Sequence, residues 1–187
     1  MRRIVLASES PRRRELMNMT GIPFFVTGAR IEEKIDSNLS IEDAVMKLAK
    51  EKATDVLQNY ENECVVAADT VVVIGNEVLG KPKDVDDARR MLSLLSGNTH
   101  RVITGVAILT KDTENVFYEE TKVTFGHLDE DDIEWYIKSR EYYDKAGGYA
   151  IQGKGIIFVE KIEGDYSNVV GLPMHHLVKE LKKIIER

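Results

Sequence analysis

Three consecutive arginines, Arg12, Arg13 and Arg14, follow Ser10 and Pro11 in the stretch LASESPRRRELM. Ser10 is placed to cap a helix whose first position is Pro11, so the arginines fall in its first turn. Backbone N–H groups and the positive end of the helix dipole gather there, and added cations are unfavourable unless an anion offsets them. The cluster therefore points to phosphate or carboxylate binding, with a solvated face partnered by Glu15 as the other reading. The glycine-rich signature of a P-loop is missing from this stretch.

A second candidate is AADTVVVIGNEVLGKP, which sets Asp69 among alanines and valines. An aspartate there is expensive to bury unless it binds a metal, pairs with a cation or takes part in a reaction. It could hold Mg²⁺ or take a proton from water, or simply form a turn. Lys81, between Gly80 and Pro82, could bring an ammonium to phosphate oxygens or be solvated. Glu32 and Glu33 could hold a hard cation with several of its waters, or be exposed. Lys50 and Lys52 point in different directions on a helix, so only one need face a site. Gln152 lies inside GGYAIQGKG, where glycines allow close approach of a ligand. Its amide can donate and accept, which suits a base edge, although the segment also reads as a flexible turn. His100, His127, His175 and His176 have no zinc-ligand spacing, and no G-x-S-x-G elbow supports a serine triad.

These residues need elements to position them. Residues 3–7 read as a buried strand, followed by the arginine helix ending near Gly21, and residues 23–27 as another strand. Apolar spacing over residues 41–57, behind Ser40, predicts a helix carrying Lys52. Residues 64–68 and 71–74 read as two strands interrupted at Asp69-Thr70, and Gly75-Asn76 as a hairpin turn to Val78-Leu79. A helix capped by Asp84 and ended by Gly97 follows, then two long paired strands over residues 101–110 and 115–126. A helix from Asp129 to about Ser139, a strand over residues 156–162 and a closing helix with Leu177, Leu181, Ile184 and Ile185 complete an α/β unit with a mixed sheet. No linker or repeat marks a boundary, so residues 1–187 read as a single domain.

The chain has 187 residues, 43% hydrophobic and 31% charged, enough for one substantial core. A net charge of -6 argues against general nucleic-acid binding, which depends on neutralising phosphates. Cys64 is the only cysteine, so no intrachain disulfide forms. MRRIVLA is too short for a signal peptide, and no stretch reaches the ~20 apolar residues of a membrane span. A cytoplasmic protein is expected.

Five segments stand in one order: LASESPRRRELM, AADTVVV with LGKPKD, LSGNTHRVITGVAI, DKAGGYAIQGKG and IEGDYSNVVGLPM. Together they resemble the Maf family of nucleoside triphosphate pyrophosphatases, over residues 4–174. The resemblance implies an elongated α/β fold like that of the inosine triphosphate pyrophosphatases, with a mixed, curved sheet flanked by helices and two lobes around a central cleft. It implies hydrolysis of a nucleoside triphosphate to the monophosphate and pyrophosphate with a divalent metal, Mg²⁺ or Mn²⁺, and a homodimer. Asp69 would be the catalytic acceptor of a proton from water and, with Glu33, a metal ligand. Lys52 and Lys81 would be catalytic cations, and Ser8 and Arg13 would bind phosphates. Arg12, Thr70 and Gln152 match the group acting on dTTP and UTP. The alternatives are a pyrophosphatase for 7-methyl-GTP or another modified nucleotide, and a nucleotide-binding regulator of cell division without turnover.

Overall fold

A computed structural model of the protein describes residues 3–185. Met1 and Arg2, which begin the MRRIVLA stretch, lie outside them. The elements are β1 (Ile4–Ala7), α1 (Pro11–Asn18), β2 (Phe24–Thr27), α2 (Ile41–Leu57), β3 (Cys64–Ile74), β4 (Glu77–Leu79), α3 (Val85–Leu95), β5 (Thr99–Leu109), β6 (Glu114–Phe125), α4 (Glu130–Ser139), β7 (Val159–Glu163), α5 (Tyr166–Val170) and α6 (Met174–Ile185). Two 3₁₀ turns, Ala146–Gly148 and Lys154–Phe158, precede β7. The fold is α/β around a mixed sheet of order β2-β1-β3-β5-β6-β7, with β4 paired to β3. β1 runs parallel to β2 and β3, whereas β4 and β7 run antiparallel to β3 and β6.

The residues fall into two compact units, and neither is a continuous stretch of chain. The first takes the chain up to Asp69, Thr104–Glu119 and everything from Gly171; the second takes Thr70–Ile103 and Glu120–Val170. Three of the four boundaries fall inside β3, β5 and β6, and the fourth falls in the short turn between α5 and α6, which is why no linker composition announces them.

In the first unit, alternation along the strands builds one core row from Val5 and Ala7 of β1, Val65 and Ala67 of β3, and Ala107 and Leu109 of β5. α2 covers this row with Ala49, Ala53 and Val56, a stripe at helical spacing. Ser40 begins α2 by accepting the Asp43 amide on its side chain. The small alanines let helix and sheet approach closely. Gly105 takes this to its limit, because a Cβ there would lie 2.4 Å from the Val45 carbonyl carbon on α2.

The second unit contains the hairpin of β3 and β4, turned at Gly75 with φ +55°. α3 buries Ala88, Met91, Leu92 and Leu95 and is tied to α4 by the Arg89–Glu134 ion pair. α4 starts at a capping box between Asp129 and Asp132. Phe125, Tyr136, Tyr149 and Phe158 form an aromatic core around His100.

Two sequence expectations need correcting. Asp69-Thr70 does not interrupt a strand: β3 runs unbroken over eleven residues, because Asp69 continues the Val65-Ala67 row and is partnered there. The strand expected from residue 156 starts instead at Val159. Gly155 brings its backbone so close to the Ala150 carbonyl that a Cβ would sit 2.8 Å from that oxygen, and the chain curls into a 3₁₀ turn. The local β preference of Ile156 and Ile157 is overridden, and both stay exposed. No described helix is long and apolar enough to cross a membrane.

Candidate active site

The first unit brings five of the candidate side chains together, starting from the phases of β3 and α2. Val65, Ala67 and Asp69 share one strand face, while Ala49, Lys52, Ala53 and Val56 share one helix face. Lys52 and Asp69 thus occupy positions at which the packing pattern expects apolar residues, and they meet. Lys52 Nζ donates to Asp69 Oδ1 over 2.7 Å, with the residues only 5% and 8% exposed. Each charge is tolerable there because the other offsets it.

Glu33 enters from the loop between β2 and α2, its Oε1 lying 2.8 Å from the same Lys52 ammonium. Two carboxylates therefore converge on one cation. On the arginine helix, Ser10 occupies the cap position, but its side chain makes no capping bond; its backbone N–H donates to Ser8 Oγ over 3.2 Å. The first turn contains no acidic residue. Arg13 is half-buried, donates from Nε to the Gly171 carbonyl over 2.7 Å and reaches Ser8 Oγ with Nη1 at 3.5 Å. Burial lowers the Arg13 pKa; the charges of Asp69 and Glu33 work against that fall, and Arg12 adds to it. Arginine stays protonated under such a shift, so Arg13 remains a cation in a partly dry setting. Arg12 is half-buried and Arg14 exposed, which leaves Arg14 as the solvated member of the trio.

Lys81, Thr70 and Gln152 belong to the second unit. Alternation along β3 turns Thr70 to the face opposite Asp69. Lys81 is exposed beside Gly80, whose carbonyl accepts the Gly147 amide over 3.0 Å. Gln152 is exposed at the tip of a turn held on both flanks. The Ala150 amide donates to Tyr136 Oη over 2.9 Å, and the Lys154 amide donates to Glu141 Oε2 over 2.7 Å. The flexible-turn reading therefore gives way to a tethered one. Tyr149, in the same segment, lies 2.8 Å from His100 Nε2.

Among the described residues no group of three or more His, Cys, Asp or Glu side chains is gathered for a metal. A two-carboxylate set nevertheless fits Mg²⁺, which is commonly held by one or two carboxylates, retained waters and substrate phosphates. Asp69 and Glu33 meet that description, since both already reach one cation in the Lys52 ammonium. Sequence reasoning missed the Gly171 carbonyl that aims Arg13, and the anchors Tyr136 and Glu141 beside Gln152. A backbone carbonyl has no residue-type signature, and the two anchors lie on and just beyond α4 with ordinary surroundings in sequence.

The family model for Maf-like proteins matches residues 3–184. A dTTP/UTP pyrophosphatase of Bacillus cereus strain ATCC 14579 is 51% identical over 98% of this chain and 96% of its own length. Another from Bacillus cereus strain ZK / E33L is 52% identical over the same shares, and one from Bacillus anthracis is 51% identical. Among solved structures, the Staphylococcus aureus Ham1 protein aligns with a TM-score of 0.46 at 14% identity, covering 66% of this chain and 72% of its own.

Proposed function

The chain belongs to the Maf family, and we propose that it hydrolyses dTTP and UTP to the nucleoside monophosphate and pyrophosphate. The observation that carries this reading is the buried Asp69–Lys52 pair with Glu33 on the same ammonium. Close relatives named as dTTP/UTP pyrophosphatases support the substrate class.

Asp69 accepts a proton from the attacking water. Its carboxylate offers about four acceptor sites, so the bond to Lys52 leaves capacity for that role. A general base contributes roughly 10² to 10⁴ in rate, and positioning and charge stabilisation supply the remainder. Lys52 has three N–H donors for its two carboxylate partners and carries positive charge toward phosphate oxygens. Arg13, aimed by Gly171, and the Ser8 hydroxyl bind phosphates, and Arg12 contacts the nucleotide at the start of α1. Asp69 and Glu33 would hold the divalent metal, Mg²⁺ or Mn²⁺. When bound, it neutralises phosphate charge that repels an incoming nucleophile. Lys81 as a cation, Thr70 as a substrate contact and Gln152 as reader of the base edge are proposed from the motif match.

The whole chain acts in this reading as one catalytic domain. Its cytoplasmic setting is supported by the single, buried Cys64. A homodimer is proposed on the family resemblance and is checked by sedimentation. Pyrophosphate release from dTTP, UTP and 7-methyl-GTP, each with Mg²⁺, tests the function. Turnover of dTTP and UTP is expected. Preference for 7-methyl-GTP, or dTTP binding without pyrophosphate, overturns the reading. Asp69→Asn is expected to abolish turnover while dTTP still binds; near-normal turnover would remove Asp69 from the base role.

A further inference from the structure

Glu33 is the most exposed member of the first-unit cluster. It sits within the irregular stretch between β2 and α2, its side chain is 48% exposed, and residues 32–35 are all exposed. Ala29 packs against the core at the start of this loop, but residues 32–35 around Glu33 take no part in that packing. From Glu32 to Ser37 the loop and α2 border a hollow of about 360 Å³, lined by Glu32, Lys34 and Ile35 on the loop and by Ala44, Leu48 and Glu51 on the helix, with Asp36 and Lys47 also at its wall. Tethering of the loop helps to keep Glu33 on Lys52.

The hydrogen bonds supply it. Three residues before Glu33, the Arg30 amide donates to Asp55 Oδ2 over 2.8 Å. Three residues after it, Asp36 Oδ2 accepts from Lys47 Nζ over 2.8 Å. Both partners are on α2, the helix that carries Lys52. The loop therefore runs antiparallel along the helix with three tethers in register, Arg30 to Asp55, Glu33 to Lys52, and Asp36 to Lys47. Asp36 also accepts the Asn38 amide and side-chain N–H, both at 3.1 Å, in the turn that leads to the Ser40 cap. The Lys47 tether is thereby fixed to the start of the same helix.

We propose that Lys47 and Asp55 are positioning residues of the reaction, which act by tethering the loop on either side of Glu33 and so setting its carboxylate against Lys52. The proposal rests on the reading that Glu33 serves the reaction. Neither residue need touch substrate. Each is an exposed or half-buried polar group whose loss leaves the core intact, so a simple folding role would show little effect on turnover.

The test uses the full chain with K47M and Asp55→Ala, the conservative variants K47R and Asp55→Asn, and Glu33→Gln alone and combined with K47M. Two readouts are followed: amide exchange of residues 30–38 without nucleotide, and kcat and KM for dTTP with Mg²⁺. K47M and Asp55→Ala are expected to speed loop exchange roughly three- to fivefold and to lower kcat roughly three- to tenfold. The conservative variants should restore both readouts. In the Glu33→Gln background K47M should add no further loss of kcat, since its effect passes through Glu33. Unchanged loop exchange, or an equal K47M loss with and without Glu33, overturns the proposal. Full turnover by Glu33→Gln overturns the reading of Glu33 and the proposal with it. An inactive Glu33→Gln beside fully active K47M and Asp55→Ala overturns the proposal alone.

Discussion

Replacing Lys52 by methionine keeps most of the aliphatic stem that packs beside Ala49 and Val56 and deletes only the ammonium. What it leaves behind is Asp69, with its side chain 12% exposed and its directly bonded cation gone. Removing one partner of a buried ion pair typically costs about 3–5 kcal/mol, because the other charge is left uncompensated. Glu33 adds little to this figure, since half its side chain already meets water. We expect K52M to lose about 3–4 kcal/mol of stability. For a chain of this length that corresponds to a Tm lower by roughly 6–15 °C. The decisive arm is the double variant K52M with Asp69→Asn, in which no buried charge is stranded. It should be more stable than K52M alone by at least about 1 kcal/mol, a sign reversal that independent sites would not show. Urea unfolding of the four proteins in the cycle measures it. K52M within about 0.5 kcal/mol of the parent, or a double variant no more stable than K52M, would refute the view that burial makes these charges interdependent.

Further outcomes follow from other parts of the fold. Desolvation lowers the buried His100 from 6.5 to about 4. Its folded pKa lies below the unfolded one, so its contribution is complete above pH 6.5 and is lost as pH falls toward 4. The loss comes to about 3 kcal/mol, and His100→Gln should flatten the stability profile in that window. Equal slopes for both proteins would exclude the effect. Gly105→Ala must push α2 off the sheet and should cost about 3 kcal/mol. Because Lys52 rides on that helix, kcat should fall with it; a variant with parental Tm and kcat would show that α2 is not seated on Gly105. Gln152→Ala should raise KM for dTTP about tenfold while leaving 7-methyl-GTP hydrolysis unchanged, and equal effects on both substrates would remove Gln152 from base selection.

Much of this arrangement can be read from single residues and their phase. The α2 boundaries follow from apolar spacing behind Ser40, and the structure places the helix at Ile41–Leu57 as expected. Asp69 and Lys52 each stand out as a charge in an apolar row. Their meeting is less visible, because it depends on how α2 is rotated over β3, which alternation and helical spacing constrain only once the two are known to pack. Lys47 and Asp55 look like ordinary exposed helix residues, and only the path of the loop gives them a task. The turn before β7 misled because branched residues favour strands locally, whereas the Gly155 contact with Ala150 is a tertiary fact.

The Arg13 bond to Gly171 spans 158 positions of sequence. On the ribosome, the arginine emerges well before its aiming carbonyl. A nascent chain can close the Lys52–Asp69 pair much earlier, but the Arg13 guanidinium stays unaimed until Gly171 has been made. Fragments that stop before Gly171 would lack that setting of the charge. The setting of this charge would thus follow, and not precede, closure of the Lys52–Asp69 pair.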